Sequence, residues 1–286
     1  MEIALWDIVG KAAGAPIAKL LGSRRDRIPV YAATSRLLDT EAHVRQVQEL
    51  ASLGYKAVKL RLHRQNPLDD IAVVEAVREA VGDELLLLVD ANQNNNSPGY
   101  EFWDRQTAMR VARELDRLRV YFMEEPLPRA DIAGLAEIAA EVDMFVAGGE
   151  HTPTAYEFRD HLEHGAYDIV QPDVTLMGNM GIIGLRKVAD MADASRRLII
   201  PHVTGGGTFP FYLAATLHAM ATVDNCPMVE YPCDPPVLTP ETLQVPVAEP
   251  LTPDADGCVA VPDGPGLGIE LDEELMAAGV VIDAVE

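Results

Sequence analysis

Apolar residues along the chain follow two alternating rhythms. Short runs in which nearly every residue is apolar, Leu85–Val89 being the clearest, are separated by longer stretches with an apolar residue every three or four positions. Unbroken apolar runs of this length mark parallel strands covered on both faces, and the wider spacing marks amphipathic helices. The pattern predicts eight strands, at Ile28–Ala32, Ala57–Leu62, Leu85–Asp90, Val120–Glu124, Met144–Ala147, Asp168–Gln171, Leu198–Pro201 and Met228–Tyr231. Between them it predicts helices at Glu41–Leu53, Asp69–Val81, Gln106–Leu118, Ile132–Glu141, Ala155–His164, Gly181–Ala194 and Phe211–Thr222. Ahead of the first strand, Leu5, Trp6, Ile8, Val9, Ala12 and Ala13 are spaced as one amphipathic helix over Ile3–Leu21, which Gly22 stops.

Strands alternating with helices in this way predict a parallel α/β fold. An open doubly wound sheet and a closed barrel both satisfy the alternation. Two features favour the barrel. No G-x-G-x-x-G turn follows the first strand, and polar residues close strand after strand, where barrel enzymes gather their reactive groups. The expected fold is a TIM-type (β/α) barrel of the (β/α)7β form. It is read as a single domain over residues 1–286, with its core at 28–231 and an acidic, Pro-rich extension at 232–286 that wraps a surface. No internal repeat is present, and the only low-complexity tract is the Asn94–Asn96 triplet.

Composition narrows the partners. The chain carries 45 Asp and Glu against 23 Lys and Arg, a net charge of −22. That balance argues against nucleic acid, whose phosphates need clustered Lys and Arg. No apolar run approaches the roughly 20 residues that span a bilayer, and the first residues lack the basic start of a signal peptide. Cys226, Cys233 and Cys258 form neither a zinc spacing nor a complete disulfide set. The expectation is a cytoplasmic protein acting on a small molecule, without nucleic-acid or membrane partners, and a homo-oligomer among its assembly options.

The strand ends carry the chemistry. Lys59, Arg61 and His63 close the second strand, Asp90 and Asn92 the third, and Glu124 the fourth; Glu150, Asp173, His202 and Glu230 follow the fifth to eighth. Each lies about one βα unit beyond the last, so a barrel brings them to one mouth. Asp90, Glu124 and Glu150 supply hard oxygens for a divalent cation such as Mg2+. Taken singly, each acid reads equally well as a helix N-terminal residue. Lys59 and Arg61 share one face of their strand, where they either meet an anionic substrate or pair with barrel acids. Asp173 beside His202 has the composition of an oriented general base, although a lone histidine is more often structural. The glycines at 205–207 could present N–H groups to an anion, or form a plain loop.

These residues bear a family likeness. The chain resembles the barrel domain of the enolase superfamily, in the mandelate racemase subgroup of mandelate racemase/muconate lactonizing enzyme-like proteins. ALWDIVGKAAGAPIAKLLG (Ala4–Gly22) is similar to that family's opening helix, and KLR (Lys59–Arg61) sits where it has K-x-K. VDAN (Val89–Asn92), MEEP (Met123–Pro126) and GGE (Gly148–Glu150) resemble its metal-ligand strands. QPD (Gln171–Asp173) and PH (Pro201–His202) resemble its His-Asp dyad, and VPDGPGLGIELDEE (Val261–Glu274) its C-terminal stretch.

The resemblance implies Mg2+ held by Asp90, Glu124 and Glu150, and removal of the proton α to a substrate carboxylate. It implies catalytic roles for Lys59, Arg61, Asp173, His202 and Glu230, with Asn92 and His63 near the substrate. Two departures shape the expectation. Arg61 stands where the family's usual strand-2 lysine base would be, and arginine stays protonated, so a one-base sugar-acid dehydratase using His202 is favoured over a two-base racemase. The family's N-terminal α+β cap is not recognised ahead of the opening helix, so the expected fold lacks it. A racemase or epimerase, and a barrel impaired by the missing cap, are the alternatives. A metal-dependent amidohydrolase is set aside, because Val30–Thr34 reads VYAAT without an H-x-H.

Overall fold

Eight short parallel strands hydrogen-bond side by side in the order β7-β6-β5-β4-β3-β2-β1-β8. They are β1 (Arg27–Ala33), β2 (Ala57–Arg61), β3 (Leu86–Asp90), β4 (Phe122–Glu124), β5 (Phe145–Gly148), β6 (Ile169–Val170), β7 (Leu198–Ile199) and β8 (Val229–Pro232). In a computed structural model of the chain, which describes residues 1–94, 101–175, 181–206 and 208–274, the sheet curls toward closure. The Glu230 N–H donates to Pro201 O at 3.4 Å, joining β8 to the segment after β7. Among the described residues, seven helices link the strands: α3 (Thr40–Ser52), α4 (Pro67–Val81), α5 (Arg105–Arg117), α6 (Ile132–Glu141), α7 (Ala155–Glu163), α8 (Gly181–Ala194) and α9 (Phe209–Met220). The fold is the expected (β/α)7β barrel.

Alternation along each strand builds two cores. Residues facing outward join the helices in a large apolar layer that includes Val58, Leu60, Leu87, Val89, Met123 and Val146. Residues facing inward form a compact plug of Tyr31, Ala57, Leu88, Phe122, Ala147, Ile169, Ile200 and Met228. Tyr31 and Phe122 meet edge to face there, ring centroids 6.0 Å apart.

The opening segment departs from expectation. It is two helices, α1 (Glu2–Ala13) and α2 (Ile17–Leu20), rather than one. Gly14 at φ 63° adopts the left-handed C-cap that favours glycine, and it ends α1 more than two turns before Gly22. The apolar face is displaced as well. Ile3 and Trp6 pack against the core, whereas Leu5, Ile8 and Val9 are 56%, 61% and 49% exposed.

Strand ends are shorter than the apolar runs suggest, because residues such as Val120 and Met144 are buried before pairing begins. The extension after β8 is more than a surface wrap. Its strand β9 (Cys258–Ala260) pairs antiparallel with β1, its short helix α10 (Pro240–Leu243) has a Thr239/Thr242 capping box, and Leu243, Val247, Val259 and Leu267 are buried. Part of the Asn94–Asn96 and 205–207 tracts lies outside the described residues. The three cysteines are free thiols. Among the described residues, no helix is long and apolar enough to cross a membrane.

Candidate active site

A ring of ionisable side chains lies directly above the apolar plug. On five strands the step from plug to ring is two residues, one strand period: Ala57 to Lys59, Leu88 to Asp90, Phe122 to Glu124, Ile200 to His202 and Met228 to Glu230. On β6 the same step leads from Ile169 to Gln171, and Asp173 is a further period on. After β5 the step from Ala147 to Glu150 is three residues. Gly149, at φ 120°, turns the chain there in a conformation that side chains with a Cβ avoid.

The acids at the strand ends do not cap helices. N-terminal N–H groups of α3, α4, α5, α6 and α7 are accepted by Asp39, Asn66, Asp104, Asp131 and Thr154. Those of α8 are accepted by the Glu2 carboxylate of α1, from Ile182 at 2.9 Å and Ile183 at 3.1 Å. Ordinary capping therefore leaves Asp90, Glu124 and Glu150 unexplained.

Lys59 is the hub of the ring. Its Nζ lies 2.7 Å from Glu124 Oε2, 3.0 Å from Glu230 Oε1 and 3.7 Å from Asp90 Oδ2, and it sits 5.7 Å from the centroid of the Tyr31 ring. Burial works against its charge, but Glu124, Glu230 and Asp90 outweigh it and hold the ammonium well above its ordinary pKa. Lys59 is therefore fixed as a cation. Arg61, half-buried, lies one period further along β2 beside Asp90 in the β2–β3 register. His63, also half-buried, follows the strand, and burial lowers its pKa first, Arg61 further.

The carboxylates crowd one another. Glu124 is fully buried. Its Oε2 accepts from Lys59 and from Gln171 Nε2 at 2.9 Å, while Oε1 has no hydrogen-bond partner. Burial, then the charge of Asp90, pushes its pKa well up. Asp90 is raised for the same first reason, with Glu150 adding to it. Asn92, at φ 47°, holds Asp90 through its backbone N–H (2.9 Å) and its side-chain amide (2.8 Å).

On the other side, His202 Nδ1 lies 2.7 Å from Asp173 Oδ2, and its Nε2 lies 3.2 Å from Glu150 Oε2 and 3.9 Å from Glu230 Oε2. Asp173 also accepts from the backbone N–H and hydroxyl of both Thr175 and Thr204, at 2.6–3.1 Å. Held this way, Asp173 fixes the ring and aims Nε2 at the acids. Burial disfavours the imidazolium, yet Glu150, Glu230 and Asp173 raise its pKa to about 10. Glu150 is the counterpart: burial would raise it, but His202, His151 and Lys59 bring it down to about 2. Glu230 also accepts from the Val203 N–H at 3.3 Å.

The structure thus links Lys59, Asp90, Asn92, Glu124, Glu150, Asp173, His202 and Glu230 in one network, with Arg61 and His63 at its edge. Sequence reading left out Gln171, Thr175, Thr204, Glu125 and His151. Gln171 stood inside the QPD motif, and the two-residue step from Ile169 would have found it. His151 directly follows Glu150 in the chain, and its Nδ1 lies 2.9 Å from Glu150 Oε1.

With this geometry in place, the comparisons with known proteins are decisive. Residues 42–275 match the family described as Enolase C-terminal domain-like. The chain belongs to that family. Among the relatives of this enolase-type barrel is the L-talarate/galactarate dehydratase of Salmonella typhimurium, 35% identical over 96% of this chain and 63% of its own length. The 3,6-anhydro-alpha-L-galactonate cycloisomerase of Streptomyces coelicolor is 34% identical over 96% of the chain and 69% of its own length. In structure, the L-talarate dehydratase of Polaromonas sp. JS666, solved with Mg and L-glucarate, superposes at a TM-score of 0.80. It is 31% identical, over 96% of this chain and 70% of that one. The chain thus spans about two thirds of the length of these relatives, and the resemblance to mandelate racemase/muconate lactonizing enzyme-like proteins is established.

Proposed function

We propose that this barrel carries the chemistry of a Mg2+-dependent sugar-acid dehydratase, with His202 as its single acid–base residue. The observation that carries the reading is the contrast between the β2 cations, Lys59 and Arg61, and His202. Lys59 is held as a cation by three carboxylates, and Arg61 cannot give up its proton. His202 alone couples an oriented ring to a nitrogen that faces the acid cluster. Relatives that act as sugar-acid dehydratases support the same reading.

The residues fit a hard divalent cation. Asp90, Glu124 and Glu150 offer oxygen donors, and Glu124 Oε1 is buried without a partner. The upward shifts of Asp90 and Glu124 come from burial and mutual repulsion, which a positive charge would relieve. When bound, Mg2+ supplies Lewis-acid polarisation of the substrate carboxylate and so acidifies its α-carbon. The remaining work falls to the chain. With Glu150 neutralised, the strongest attraction on the imidazolium is gone and His202 Nε2 can accept the α-proton. Returned from Nε2 to the departing β-hydroxyl, that proton leaves as water, and the resulting enol ketonises to a 2-keto acid. Asp173 holds Nδ1 throughout. Arg61 and Asn92 stand where the sugar-acid hydroxyls or carboxylate would lie, and Glu230 steadies Lys59.

The test is a screen of aldonic and aldaric acids with Mg2+ for 2-keto product. At least one acid should turn over, and His202→Asn should slow it by about 10²–10⁴-fold. Solvent hydrogen exchange at the α-carbon without loss of water would instead support a racemase or epimerase. A structural neighbour described as a racemase, from Streptomyces coelicolor A3(2), supports that second reading.

A further inference from the structure

One carboxylate of the ring faces two ways. Glu150 Oε2 looks toward His202, 3.2 Å away, while Oε1 looks to the opposite side, 2.9 Å from His151 Nδ1. On that second side lies Glu125, the residue after the ring member Glu124. Glu125 is 2% exposed, its Oε1 lies 3.9 Å from His151 Nδ1, and its Oε2 is buried with no hydrogen-bond partner. Glu125, Glu150 and His151 each bring one ligand atom within 4.8 Å of the other two. A buried carboxylate oxygen without a donor is costly, and a bound cation would relieve that cost.

We propose that Glu125, Glu150 and His151 form a second cation site, distinct from the one built on Asp90 and Glu124 and sharing Glu150 as a bridge. The donor set differs from the first. Three carboxylates suit Mg2+, whereas an imidazole nitrogen with two carboxylates suits Mn2+, Co2+ or Zn2+. A carboxylate with one oxygen turned to each side is how two metal ions are held as neighbours. His151, about a third exposed at its side chain, gives the ion a way in from solvent. The proposal goes beyond the dehydratase reading and does not require it.

The imidazole nitrogen makes the site testable without turnover. The full chain, supplied with Mn2+ alone, should show nitrogen coupling to the bound ion by pulsed EPR, and His151→Ala should abolish it. In parallel, His151→Ala and Glu125→Gln should each weaken Co2+ binding at this site by about 100-fold, while Glu124→Gln leaves the nitrogen signal in place. Mn2+ bound without a nitrogen signal, or a signal that survives His151→Ala, would overturn the proposal. So would Co2+ binding that neither variant changes. Loss of Mg2+ binding in Glu124→Gln bears on the dehydratase reading alone, so the two ideas fail separately.

Discussion

The barrel interior has two levels that differ in kind although they are one strand period apart. Below, Tyr31, Ala57, Leu88, Phe122, Ala147, Ile169, Ile200 and Met228 form a dry apolar plug. Above, Lys59, Asp90, Glu124, Gln171, His202 and Glu230 form a polar, mostly charged ring that is nearly as inaccessible, with Lys59 and Glu230 each 4% and Glu124 0% exposed and only His202 half-buried. Burial of the lower level is favourable in itself. Burial of the upper level is tolerable only because each charge has a partner, since removing one partner strands the rest. The same backbone geometry therefore supports stability at one level and reactivity at the other. Lys59, Glu124 and His202 in the upper level have strongly shifted pKa values, as groups in functional sites often do.

The sharpest way to separate the levels is to damage each and vary pH. Lys59→Met should cost about 3–5 kcal/mol at neutral pH by leaving Glu124, Glu230 and Asp90 without their cation. Phe122→Ala should cost a similar amount, about 3–5 kcal/mol, through cavity formation. The two should part at acid pH. Glu124 has a raised pKa in the fold, so it binds its proton more tightly folded than unfolded, and lowering pH favours the folded state. Urea denaturation at pH 7.5 and pH 5 should show the Lys59→Met deficit shrinking and the Phe122→Ala deficit unchanged. Equal deficits at both values would mean the ring is not held by charge.

A smaller effect is expected at the rim. Thr204 Oγ1 donates to Asp173 Oδ2 at 2.8 Å, so Thr204→Val should cost about 1 kcal/mol. Should the substitution leave stability and the ¹⁵N signals of His202 unmoved, Thr204 does not help to set that ring.

The smallest effect lies outside the barrel interior, on α9. His218 Nδ1 accepts from the Ala18 N–H at 3.1 Å, and its Nε2 lies 3.1 Å from Leu267 O. Burial lowers its pKa, as it does that of His43. A histidine held neutral binds fewer protons folded than unfolded. Its contribution is complete above the unfolded pKa of about 6.5 and is lost as pH falls through that value. His151 and His202, raised by their acids, act in the opposite direction, so the difference between His218→Gln and wild type is the quantity to follow. That difference should narrow between pH 7.5 and pH 5.5 in thermal denaturation, and a constant gap would count against a neutral His218.

The alternation of eight strands and seven helices was legible because apolar runs and helical spacing are local properties. The boundaries of α6 and α8 fall where the pattern puts them. Charged residues at the strand ends were legible for a related reason: one acid at a strand end reads as an ordinary helix cap, but three in succession, each after an apolar strand, do not. Elements that depend on distant partners were not. The β9 strand Cys258–Ala260 exists only because β1 offers it an edge, and the outward stripe of α1 was misplaced because its inward face is set by what Ile3 and Trp6 meet. Within the site, Gln171 and Thr204 are ordinary polar residues in sequence. They acquire meaning only when the β6–β7 pairing brings Asp173 to His202.

By itself the sequence determined the period of each element, the parallel α/β alternation and the chemical identity of every group at the mouth. These follow from the positions of apolar and charged side chains along the chain. The tertiary structure alone decided which groups share a charge. It set Lys59 among three carboxylates rather than toward a substrate, aimed His202 Nε2 at Glu150, and turned the other face of Glu150 toward His151 and Glu125. Electrostatic coupling falls with distance and rises with burial, and both are fixed only when the strands curl and bring residues from opposite ends of the chain within hydrogen-bonding reach.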